Sequence, residues 1–82
     1  MITRMWEVRA EPTRFDALLD WVRDDALPTV SGPSLVSSQV YRSEDHRIVV
    51  ITTFDGAVVD LPEPPAGLAA RPPHAWTFTR VD

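Results

Sequence analysis

Phe15, Leu18, Leu19, Val22, Ala26 and Leu27 recur at helical spacing, while Asp16, Asp20, Arg23 and Asp24 fall on the rest of the circumference. That pattern predicts one amphipathic helix. Pro12 suits its first turn, where a missing N–H costs nothing, and Thr13 with Asp16 three residues on forms a loose capping box. Glu11 and Asp16 oppose the positive end of the helix dipole. Pro28 is expected to stop the helix, because its ring pushes the preceding residue away from helical angles. Trp21 falls at the edge of the apolar stripe.

Strands are predicted on either side. Ile2, Trp6, Val8 and Ala10 share one parity of the first, interrupted by Arg4, and Thr3, Met5, Glu7 and Arg9 share the other. A loop over residues 29–33 leads to a strand over 35–42, a polar hairpin turn over 43–46, and the run 48–54, which is apolar or small on both sides. Such a run belongs in the middle of a sheet. Residues 55–73 hold five of the eight prolines, so this connector admits at most one or two helical turns. The last segment, 74–81, alternates Trp76 and Phe78 with Thr77 and Thr79, as a half-buried strand does.

Strand, helix, two hairpin strands, connector and strand make one α+β domain over residues 1–82. The order is the ferredoxin-like βαββ(α)β, a four-stranded antiparallel sheet whose second helix is short or absent. One helix covers one face of such a sheet. Met5, Leu35, Tyr41 and half of the third strand can reach the other face, and a second subunit's sheet is its natural cover.

Composition sharpens this picture. A chain of 82 residues buries a thin core, and with no Cys it has neither disulfide nor thiolate metal site to staple it, so association is the expected source of added stability. Twelve acids against eight arginines leave a net charge of −4 without a basic stripe, which disfavours nucleic acid as a partner. No apolar run approaches the roughly 20 residues of a membrane span, and Arg4, Glu7 and Arg9 are unlike a signal peptide's apolar region. The expectation is a cytoplasmic protein with no membrane partner. Lys and Asn are absent, and the bias to Arg, Ala, Val, Pro and Asp is that of a GC-rich coding background.

The helix approach Glu11-Pro12-Thr13-Arg14-Phe15, the Gly32-Pro33-Ser34-Leu35 lead into the second strand, and the hairpin from Val40-Tyr41-Arg42-Ser43 into Ile48 to Phe54 resemble the dimeric α/β-barrel superfamily. Within it, the antibiotic-biosynthesis-monooxygenase branch is the most similar. The likeness covers residues 1–55. It implies two ferredoxin-like subunits closing into a barrel, each with a pocket between sheet and helices. Some relatives in that superfamily oxidise polycyclic aromatics without metal or cofactor, and others degrade haem. The haem-degrading set of Asn, Trp and His is not met: the chain has no Asn, Trp6 stands on the first strand, Phe54 stands where the Trp would follow the third, and His74 comes after the connector that replaces the second helix.

Candidate chemistry is sparse. His74 is one of only two side chains of a type whose unperturbed pKa lies near neutrality, and it shares a strand parity with Trp76, so it could serve as general base on an enolisable phenol, or simply begin a strand at the surface. Arg4 could hold a ligand's acid group, or pair with a helix acid such as Asp16 or Asp20. Trp6, Tyr41, Phe54 and Trp76 could bind an aromatic ligand, or serve as core and interface. His46 sits in a turn beside Glu44 and Asp45, the two histidines show no metal-ligand spacing, and Ser31, Ser34, Ser37 and Ser38 lack a nucleophile elbow. No metal and no cofactor are expected. These residues point to a homodimer with a modest apolar cavity under the helix. Either it is a cofactor-independent monooxygenase or cyclase acting on a small aromatic metabolite, with His74 as base and Arg4 as charge partner, or it is a non-catalytic ligand-binding or structural dimerisation module.

Overall fold

A computed structural model describes all residues, Met1–Asp82. The chain runs β1 (Ile2–Arg9), a 3-10 turn (Pro12–Arg14), a helix, β2 (Leu35–Arg42), β3 (Arg47–Phe54) and β4 (His74–Thr79). The strands form one antiparallel sheet in the order β2-β3-β1-β4, which is consistent with a ferredoxin-like arrangement. Consecutive β2 and β3 are joined by the expected hairpin, and β1 and β3 take the two central positions. Residues 55–73 contain no second helix; a turn at residues 66–68 and an isolated bridge between Ala10 and Ala69 are the regular features there.

The helix, α1, departs from its sequence expectation at the end. It is α-helical over Phe15–Trp21, π-helical over Val22–Ala26, and α-helical again over Leu27–Thr29, so it passes through Pro28. The widened turn explains how. Leu27 donates its N–H to the Val22 carbonyl, five residues back. This register opens the helix where a proline ring would strike the carbonyl four residues earlier. The Thr13–Asp16 box is also not made: the helix is entered through the 3-10 turn Pro12–Arg14, and neither N-cap residue, Glu11 or Arg14, caps through its side chain.

One sheet face is packed under α1. Trp6, Val8, Ala10, Leu18, Val22, Ile48, Val50 and Leu68 form the core cluster, with Leu61 and Ala69 of the connector against it. Leu61 and Leu68 therefore occupy the side of the sheet that a second helix would cover. Burial alternates strictly along β3, with Ile48, Val50, Thr52 and Phe54 buried and Arg47, Val49, Ile51 and Thr53 half-buried. The run is thus central in the sheet but covered on one face, where its pattern suggested two. No helix is long and apolar enough to cross a membrane.

The β2–β3 turn is fastened by charge. The Ser43 hydroxyl donates to the Asp45 carboxylate, and Arg47 Nε lies 3.2 Å from Asp45 Oδ2. The Ser43 hydrogen bond, the largest effect, outweighs the opposing loss of hydration that ranks next, and with the Arg47 guanidinium, a backbone hydrogen bond and the Arg9 guanidinium it holds the Asp45 carboxyl below the usual carboxylate range. A carboxyl depressed in the folded state stabilises above its unfolded pKa, near 3.9, and that contribution disappears as pH falls through the folded value. Asp45→Asn should therefore be less stable than the parent at pH 7, with the gap closing below about pH 4; urea melts across that range measure it.

Candidate functional site

Strand parity sorts the candidate residues. In register, Val40, Val50, Trp6 and Ala75 form one cross-strand row, and Ser38, Thr52, Arg4 and Thr77 the next. Both rows face α1 and the connector. The alternate rows, Tyr41-Val49-Glu7-His74 and Gln39-Ile51-Met5-Trp76, face the other way. Arg4, Trp6 and Phe54 thus lie on the covered face, and Tyr41, His74 and Trp76 on the open one. His74 and Arg4 sit on opposite sides of the sheet and share no cavity within one protomer.

The middle of the covered face beneath α1 is filled by Trp6, Val8, Leu18, Val22, Ile48 and Val50, and in place of the expected cavity there is an open groove at the helix edge beside Leu19, Arg23 and Val40. Phe54 is likewise fully buried. A cavity of about 170 Å³ lies instead to one side, between the sheet and residues 59–63 of the connector, lined by Arg4, Trp6, Thr52, Asp60 and Leu61 among others. Here Arg4 finds its counter-ion, and it is not a helix acid. Nε donates to Asp60 Oδ1 at 2.9 Å, Nη2 lies 2.9 Å from the same oxygen, and Nη1 donates to Thr77 Oγ1 at 2.6 Å. An arginine inside an otherwise apolar parity needs a carboxylate. The partner's identity was not readable, because a proline-rich connector carries no periodicity from which to place Asp60.

The open face is aromatic and aliphatic. Tyr41, Trp76 and Phe78 are 53%, 43% and 52% exposed, around a half-buried floor of Met5, Val49 and Ile51. His74 and Trp76 rings stack with centroids 6.0 Å apart and planes 18° from parallel. Glu7, which sequence reasoning passed over as a strand's polar position, is buried on this face directly opposite His74 in the β1–β4 register. Its Oε1 accepts a hydrogen bond from Arg71 Nη2 at 3.4 Å. A carboxylate on a partly apolar face with a cation sent from the connector is a feature that alternation alone reads as solvated. The only available signal was Arg71 placed just before the last strand.

No family model matches the chain, and comparison with curated proteins and with solved structures likewise finds no match.

Proposed function

We propose that the chain is a non-catalytic ligand-binding and dimerisation module, in which two copies close the open faces of their sheets against each other. The observation that carries this reading is the exposed aromatic shelf of Tyr41, Trp76 and Phe78 around Met5, Val49 and Ile51. Four strands at about 4.8 Å spacing and about 3.4 Å per residue give a flat footprint of roughly 450 Å². Side-chain relief brings its accessible area toward the roughly 800 Å² that each partner contributes to a stable interface.

Charge also favours a second copy. Glu7 is matched by Arg71, and Arg47 and Arg9 share the single Asp45 carboxylate, which leaves one net positive charge at that end of the face. A two-fold pairing sends the two Arg9 side chains to opposite ends and lays apolar middle on apolar middle. A single-stranded nucleic acid would want aromatic rings on the central strands and a basic surround. Here the central strands carry Met5, Val49 and Ile51, and the net charge is −4.

The oxygenase or cyclase reading requires a base and a charge partner to act on one substrate. Arg4 is engaged by Asp60 on one side of the sheet and His74 stacks on Trp76 on the other, which is why the module is preferred. Oxygen uptake with a quinol substrate is the test. The expected result is uptake equal to the protein-free rate, identical for His74→Ala; uptake that His74→Ala abolishes would restore the enzyme and assign His74 as its base.

A further inference from the structure

We propose that the cavity beside Trp6 is a binding site for a small aromatic or branched monocarboxylate, with Asp60 standing in for the ligand's carboxylate until the ligand displaces it. This deepens the ligand-binding half of the proposed function and does not depend on the dimer.

The two members of the Arg4–Asp60 pair are unequally held. Arg4 rises from a central strand, its side chain is 25% exposed, and Thr77 fixes Nη1 from the neighbouring strand. Asp60 belongs to a segment without regular structure and its side chain is 68% exposed. The strap itself is seated: Ser34 Oγ donates to the Ala57 carbonyl at 2.7 Å, and Leu61 packs on the core. Turning the Asp60 side chain outward therefore frees the guanidinium without unfolding anything.

The pair is also poorly matched. Both Arg4 Nε and Nη2 approach Oδ1, and the second carboxylate oxygen accepts no hydrogen bond. A guanidinium fork binds best when each nitrogen meets its own oxygen. A free carboxylate can align that way; one tethered through the strap backbone does not. A half-exposed pair of this kind is weakly held, so a competitor meets little resistance.

Shape and charge then select the ligand class. The cavity has Trp6, Thr52 and Ala75 for a floor and Val59 and Leu61 for a wall, which suits a ring or a branched chain beyond the carboxylate. At about 170 Å³ it is smaller than drug-sized pockets and takes a ligand of roughly ten non-hydrogen atoms. Glu63 lies on its rim. With Asp60 displaced but near, two acids face one arginine, so a dianion is repelled where a monoanion is accepted.

Benzoate is the probe, followed by chemical-shift titration of the Trp6 indole and the Ala75 amide, with benzamide as the neutral shape control and inorganic phosphate as the more highly charged anion. Benzoate should shift both signals, benzamide and phosphate should not, and Asp60→Ala should bind benzoate about tenfold more tightly than the parent. Arg4→Gln should lose binding. Should that variant fail to fold, the benzoate-against-benzamide contrast in Asp60→Ala, an exposed substitution, still decides. Equal binding of benzoate and benzamide, unchanged affinity in Asp60→Ala, or shifts confined to residues outside the cavity would each overturn the site.

Discussion

Trp76→Glu is expected to raise the dimer dissociation constant by about 10²–10³-fold, the largest single effect on association in the molecule. Trp76 stands in the central row of the open face with Met5 and Ile51, and it supports the His74 ring by stacking. Trp76 lies on edge strand β4, but a tryptophan buried in an interface is worth about 2 kcal/mol or more on truncation, and two-fold symmetry buries it twice. Glutamate adds the cost of burying a charge against an apolar partner. Light scattering on a size-exclusion column over a range of loading concentrations reads the shift. Asp24→Ala, on the exposed side of α1, should leave the constant unchanged. If Trp76→Glu leaves the mass unchanged, association runs through another surface, of which the unprotected edge strand β4 is the nearest, and the face-to-face pairing is wrong.

The second large effect is on stability. Phe54→Ala should cost about 3–5 kcal/mol, the range for a fully buried aromatic side chain whose site cannot collapse. Domains of this length hold roughly 4–12 kcal/mol in all, so the variant should be close to unfolding at 37 °C. Because a dimer of the proposed kind would stabilise the folded form by mass action, parent and variant must be compared at one protein concentration. Urea melts with an unchanged slope and a much lower midpoint are the expected result. A cost below about 1 kcal/mol would mean that Phe54 borders open space, which would return it to the set of ligand-binding side chains.

Much of the fold could be read from the residues because hydrophobic period and secondary structure are the same fact seen twice. The Phe15-to-Leu27 stripe and the alternation in Ile2 to Ala10 needed only geometry, and the strand bounds of β2 came directly from the turn residues on either side. What failed was local. Pro28 should break an α-helix, and it would have done so had the turn at Val22–Ala26 not widened; nothing in the residues themselves announces that widening.

The site was half legible for a different reason. Parity told that Arg4 was out of place and that His74 and Trp76 share a side, because period two survives any tertiary arrangement. It could not tell which side of the sheet would be covered by what. Asp60 and Arg71 both come from the proline-rich connector, and each neutralises a residue of β1 on a different face, Arg4 and Glu7 respectively. Pairing across more than fifty residues of chain depends on where an aperiodic segment lies, and sequence pattern carries no information about that.

Sedimentation equilibrium of the unmodified protein over a thousandfold range of concentration tests the pairing of open faces most directly. The expected result is a mass of twice 9.2 kDa at micromolar concentrations, falling toward a single chain on dilution. A mass of one chain throughout, with the fold intact, would contradict it, because the aromatic shelf would then meet water in the working protein.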